Sequence, residues 1–184
     1  IIENSLDVDI KNKFEKFNNV RVIIPNKNLG YGKSFNLGLE ISKNNYTYFL
    51  SPDVVIPEGC FENINKVIQN LDNFTILAPT YIDETIHKNY QIKYEKPLKD
   101  FILEGFSLIE VDEIDFAMAL VNKSNISETK LMDENFFLYF ESTDACITLR
   151  KKNKKIYVIK NIKFQHYGTE SSDPKYSFEI KISR

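Results

Sequence analysis

Residues 46–57 read YTYFLSPDVVIP, and the fold turns on how this stretch is read. Tyr48-Phe49-Leu50 is a short aromatic run without charge, closed by Ser51-Pro52-Asp53. A run of that length with Pro at its exit predicts a buried strand rather than a helix. Pro52 has no N–H to give to a ladder, so pairing should end there. Asp53 then falls just past the carboxyl end of a central strand, where open α/β sheets bind ligands. A carboxylate at that spot suits a divalent cation holding phosphate oxygens. Pro-Asp pairs also shape turns, and taken alone the stretch is explained by a turn.

On the amino-terminal side, Asp7 or Asp9 can cap a helix running to about Phe17, and Val20–Ile24 reads as a strand closed by Pro25. Gly30 and Gly32 fall in a loop that feeds a helix starting near Lys33 or Ser34. Glycine-rich turns at a helix N-terminus can cradle phosphate, but the spacing matches neither the Walker pattern nor GxGxxG. On the carboxyl side, Phe61, Ile64, Val67, Ile68 and Leu71 recur at helical spacing within Glu58–Leu71, and Phe74–Pro79 is a strand. This alternation predicts a single α/β domain with a mostly parallel sheet flanked by helices.

The second half is less regular. Residues 85–94 suit an edge strand with an exposed His87, and Lys96–Gly105 suits a short helix. Phe116–Val121 has the continuous apolar character of a central strand. Glu110, Asp112, Glu113 and Asp115 precede it. They are either ligands or charges that guard a sheet edge, the second fitting Glu110 and Glu113 better. A helix over Ser142–Lys152 follows a dense aromatic run, Phe136–Phe140. Glu141 and Asp144 share its first turn, where acids complement the helix dipole. Strands over Lys155–Ile159 and Ile162–Gln165 lead to His166. A lone His at a strand end is more often hydrogen-bonded structure than ligand.

The totals exclude several classes. With 184 residues and 24 Lys+Arg against 26 Asp+Glu, the net charge of −2 lacks the basic excess of a nucleic-acid binder. Cys60 and Cys146 form no CxxC pair, which argues against a zinc or disulfide framework and for a reducing compartment. No run has the length of a membrane span. The basic Arg150–Lys155 segment fits a solvated helix C-terminus, or a peripheral contact with anionic lipid.

Four stretches then line up in order. Ile2-Glu3-Asn4-Ser5-Leu6-Asp7 is a strand end with a D-N-x-S-x-D-like turn. Asn28-Leu29-Gly30-Tyr31-Gly32 continues to Asn36-Leu37-Gly38. Leu50-Ser51-Pro52-Asp53 is an L-N-P-D-like aspartate motif. Met132 to Glu141, through Asp144 and Arg150 to His166, follows an F-D-E-x-F-F-x-Y-x-E-D-x-D block and its later His. Together they resemble a family-2 glycosyltransferase of the GT-A type, nearest to bacterial rhamnosyltransferase-like members.

That resemblance implies roles. Glu3 stands where the nucleotide base or ribose is contacted, and Asn28, Gly30, Gly32 and Asn36 where the donor is approached. Ser51 and Asp53 would meet the diphosphate, with Asp53 and His166 as protein ligands to Mn²⁺ or Mg²⁺. Glu141 and Asp144 would surround the acceptor hydroxyl, and either could serve as the catalytic base. It further implies an inverting transfer from a UDP- or dTDP-sugar to a glycan or lipid-linked acceptor in bacterial surface polysaccharide synthesis. The place is the cytoplasm, with peripheral contact at the inner face of the membrane. Three departures stand out. Ser142 replaces the second acid of the family's pair, Ser51 replaces Asn or Asp, and Phe116 stands where a Gly borders the sugar, so its ring should narrow the pocket. The family's first strand would precede Ile1, and the tail beyond His166 is short for the family. A degenerate domain that binds carbohydrate or serves complex assembly is the alternative these departures raise.

Overall fold

A computed structural model of the chain describes residues 1–85, 87–93, 100–126 and 130–167. Its elements are α1 (Val8–Phe14), α2 (Gly30–Ile41), β1 (Tyr46–Leu50), β2 (Val54–Val55), α3 (Cys60–Ile68), β3 (Ile76–Tyr81), β4 (Tyr90–Gln91), β5 (Asp100–Leu103), β6 (Phe106–Glu110), β7 (Glu113–Ile114), β8 (Met118–Asn122), α4 (Glu141–Lys151) and β9 (Ile156–His166). The main sheet runs β1-β8-β3-β9-β6-β5, with β2 paired to β9.

The sheet is mixed rather than mostly parallel. β1, α3 and β3 do form the strand–helix–strand run that the alternation predicts, but β8 inserts between the two strands, antiparallel to both. Among the named strands, only β3 and β9 pair in parallel. β8 is buried on both faces, which its unbroken apolar sequence requires. Ala119 and Val121 point to a core shared with α2 and α4, including Phe35, Leu39, Cys146 and Leu149. Met118 and Leu120 point to the opposite core, under Cys60, Ile64 and Val67 of α3. The two cysteines therefore lie in different layers.

Several local readings change. β1 is half-buried rather than buried, because it ends the sheet with β8 as its neighbour. Val20–Ile24 contributes an isolated parallel bridge, Ile2 to Ile23, rather than a strand. Of the helix expected over Lys96–Gly105, residues 96–99 lie outside the described residues, and the remainder is the β5–β6 hairpin. Glu104 and Gly105 turn it, both at positive φ, as a two-residue hairpin loop requires. The two strands expected after Lys154 are one, β9. Its register against β3 jumps from Pro79↔Ile159 to Thr80↔Lys163. Pro79 cannot donate to the ladder, and the surplus residues 160–162 bulge there. That jump sets the site, because it aligns Tyr81 with Phe164, two residues before His166.

Candidate active site

Asp53 leaves β1 through Ser51, whose N–H donates to the Ala117 carbonyl at 2.8 Å. The next two residues form β2, which pairs antiparallel with the end of β9 and sets Val54 opposite His166. Tyr167 N–H donates to the Asp53 carbonyl at 3.1 Å, closing the same ladder. Backbone pairing thus brings the two side chains together: His166 Nε2 stands 3.2 Å from Asp53 Oδ1. The Asp53 side chain is buried, and neither carboxylate oxygen has a hydrogen-bond partner. A buried carboxylate left this way is costly unless something cationic meets it.

Behind the pair lies Tyr81, whose hydroxyl is 2.9 Å from His166 Nδ1 and donates to Asp115 Oδ2. Burial pushes the Tyr81 phenol upward, aided by the Asp115 and Asp53 charges. Burial also raises the Asp115 carboxyl, against the Tyr81 hydrogen bond, which lowers it. Neither residue is marked by a motif. Asp115 is one of the four acids ahead of β8 that read as either ligands or edge charges, and Tyr81 reaches the site only through the β3–β9 register.

Glu141 opens α4. It is 4% exposed, and its Oε2 has no hydrogen-bond partner. Burial raises its carboxyl above the ordinary glutamate value, with its own backbone N–H opposing. Tyr31 links this acid to the other group: burial first, then the charges of Glu141 and Asp115, raise its phenol. The Tyr31 hydroxyl donates to the Phe116 carbonyl at 3.0 Å. The Phe116 ring, expected to border the sugar, is turned into the core. It is 2% exposed and packs edge-on against Phe35, with centroids 5.4 Å apart. Asp144 is half-buried on the first turn, its N–H donating to the Phe140 carbonyl at 2.8 Å.

The remaining motif residues are engaged by the protein itself. Glu3 accepts Ser5 N–H at 3.1 Å, Ser5 Oγ–H at 2.5 Å and Asp7 N–H at 2.6 Å. Asn28 Oδ1 accepts Gly30 N–H at 2.9 Å. Gly30 begins α2 earlier than expected, at φ +76°, and a Cβ there would collide with the Phe137 carbonyl. A Cβ at Gly32 would lie 3.3 Å from the Asp133 carbonyl oxygen. Asn36 is buried; its Oδ1 accepts Leu131 N–H and Met132 N–H, both at 3.0 Å, and its Nδ2 donates to the Met132 carbonyl at 2.8 Å. These contacts fasten residues 131–137 onto α2 and so deliver Glu141.

Among the described residues no group of three or more His, Cys, Asp or Glu side chains is arranged to hold a metal ion. Asp53 and His166 are a pair, and neighbouring ligands of an octahedral Mg²⁺ at its usual bond lengths lie about 3.0 Å apart. The 3.2 Å separation and the unmet oxygens fit such an ion with its other positions left to substrate and water. The basic run that begins in the last turn of α4 is partly neutralised, Arg150 pairing with Asp112 at 2.9 Å and Lys155 with Glu110 at 2.7 Å. Among the described residues no helix is long and apolar enough to cross a membrane.

The model of the family described as Glycosyl transferase family 2 matches residues 6–129. The dTDP-rhamnosyl transferase RfbF of Shigella flexneri is 22% identical over 173 residues, 90% of this chain and 58% of that protein. The chain therefore spans a little over half the length of that relative. Among solved structures, GalNAc-T7 with UDP, GalNAc and Mn²⁺ superposes with a TM-score of 0.67 at 11% identity, over 94% of this chain and 39% of that one. UDP-glucose pyrophosphorylase complexed with UDP-glucose gives 0.52 at 14% identity, over 97% and 74%. At such identities the two structures speak for the fold alone.

Proposed function

The chain belongs to glycosyl transferase family 2, and from that premise we propose that it transfers a sugar from a UDP- or dTDP-sugar to a hydroxyl of a glycan or lipid-linked acceptor. The observation that carries the reading is the meeting of Asp53 and His166, distant in sequence, at 3.2 Å with both carboxylate oxygens otherwise unmet. A Mn²⁺ or Mg²⁺ ion held there would supply Lewis-acid stabilisation of the diphosphate leaving group. Ser51 and Asp53 face the donor end.

Glu141 is the residue best suited to take the proton of the acceptor hydroxyl. Its burial raises its proton affinity, and its Oε2 is uncommitted. Asp144 lies one turn further and orients the acceptor. A single displacement at the anomeric carbon inverts configuration. The family's adjacent second acid is Ser142 here, so the base role falls on Glu141. Glu3, Asn28, Gly30, Gly32 and Asn36 shape the donor side mainly by holding the loops that form it. The similarity to a protein described as a dTDP-rhamnosyl transferase supports a dTDP-deoxysugar donor; a role in polysaccharide synthesis is part of the same proposal.

The test is thermal unfolding with Mn²⁺ and with UDP or dTDP, separately and together. The melting temperature is expected to rise most with both present. Asp53→Ala should fold and lose the joint shift; a shift that survives the substitution removes the metal assignment. Transfer or donor hydrolysis that depends on Glu141 separates an enzyme from a carbohydrate-binding relic.

A further inference from the structure

Two side chains behind the Asp53–His166 pair are arranged with a definite polarity. The Tyr81 and His166 rings are near parallel, 29° apart, with centroids separated by 5.6 Å. The Tyr81 hydroxyl donates to Asp115 Oδ2, and the same oxygen is 2.9 Å from His166 Nδ1. Asp115 is fixed in turn: its Oδ1 accepts Ala117 N–H at 3.2 Å, and its own N–H donates to the Asn89 carbonyl at 2.8 Å. Asn89 is buried and anchored by Nδ2 to the Pro79 carbonyl at 2.8 Å.

A phenol has one proton to give. Given to Asp115, it is not available to His166, so the phenol oxygen accepts and Nδ1 must carry the hydrogen. On a neutral ring Nε2 then keeps its lone pair. Nε2 is the atom 3.2 Å from Asp53 Oδ1, and that oxygen takes no hydrogen bond. Two electron pairs facing each other are unfavourable until a cation lies against both.

We infer that Tyr81 and Asp115 are positioning residues that hold His166 as the Nδ1–H tautomer, so that Nε2 and the Asp53 carboxylate face one divalent cation together. The inference rests on the metal reading above. A metal-binding imidazole commonly gives its other N–H to an acceptor that fixes the ring; here a phenol is that acceptor and passes the polarisation to a carboxylate. Thr or Ser in place of Tyr81 would be too short to span both partners, and Phe would break the chain at its middle.

The chain has two histidines, so long-range ¹⁵N–¹H spectra of the labelled protein, at a pH where both rings are neutral, can report each tautomer. Metal-free wild type should show His166 protonated on Nδ1, and Tyr81→Phe should move the proton to Nε2. In parallel, Mn²⁺ binding followed by electron paramagnetic resonance should weaken about 10- to 100-fold in Tyr81→Phe. Asp115→Asn should lose less, because the amide oxygen still accepts the phenol proton. A wild-type His166 protonated on Nε2, or Mn²⁺ affinity unchanged in Tyr81→Phe, overturns the inference. Asp53→Ala separates the two levels: if it binds Mn²⁺ as wild type does, the metal reading itself fails. If it loses Mn²⁺ while folded Tyr81→Phe keeps it, only the present inference fails. Should Tyr81→Phe not fold, the wild-type spectrum and Asp115→Asn decide, and undiminished Mn²⁺ affinity in the latter overturns the inference.

Discussion

The polar residues at the two ends of this site are treated oppositely. Around Asn36, valences are consumed: three of its four hydrogen bonds go to the backbone of residues 131 and 132 and one, at 3.2 Å, to Glu134 Oε1. Around Asp53, valences are left over: both oxygens are buried without a hydrogen-bond partner, and His166 Nε2 stands 3.2 Å from one of them. Residues from the same family pattern therefore do different work. A side chain whose hydrogen-bonding capacity is used up by the protein builds the site, whereas one with capacity left over in a buried place faces whatever the site binds.

Substitutions at the two ends should accordingly part company. The largest effect is expected for Asp53→Ala, with transfer activity down by at least about 10²–10³-fold, the scale for losing one preorganised stabiliser of transition-state charge. Its metal-free melting temperature should not fall, because a buried unmet charge is removed; a large fall would place Asp53 among the builders. Gly30→Ala comes next. It forces a Cβ into a left-handed backbone and against the Phe137 carbonyl, and should cost about 2–4 kcal/mol in urea unfolding. Asn36→Ala strands the backbone groups of residues 131 and 132 and should cost about 2–3 kcal/mol, while leaving Mn²⁺ affinity of the folded fraction near wild type. Equal loss of Mn²⁺ binding and stability there would erase the distinction.

The smallest effect tests Glu141. Its folded carboxyl is raised above the ordinary value by burial, so the folded state holds its proton more tightly than the unfolded chain does. That contribution is complete below the unfolded glutamate value and is lost as pH rises through the folded one. Glu141→Gln removes the buried charge and should raise the melting temperature by a few degrees at pH 7, with the gain vanishing in acid. A gain that persists at low pH would point to packing rather than charge.

Much of this was legible in the residues themselves. Tyr46–Leu50, Glu141–Lys151 and the α3 segment appear where their periodicity and breakers put them, since each is decided within a few residues. The Asp53–His166 meeting was legible only through resemblance, because the β2–β9 register that creates it spans most of the chain. Tyr81 could not be read at all, and Asp115 only as one of four acids that were either ligands or edge charges: their roles follow from a bulge opposite Pro79 and from the tertiary contact that sets Asp115 against the Tyr81 hydroxyl. The β5–β6 hairpin was missed because a Glu-Gly turn carries a weaker signal than Asn-Gly. The parallel-sheet expectation failed for the same long-range reason, since nothing local to Met118–Asn122 says that it will separate β1 from β3.

The most direct measurement is an anomalous difference map at the manganese edge, from crystals grown with Mn²⁺ and UDP. A peak bonded to both an Asp53 carboxylate oxygen and His166 Nε2, each at about 2.0–2.3 Å, is expected. Manganese bound elsewhere in the cleft, with no ion between Asp53 and His166, would contradict the metal assignment.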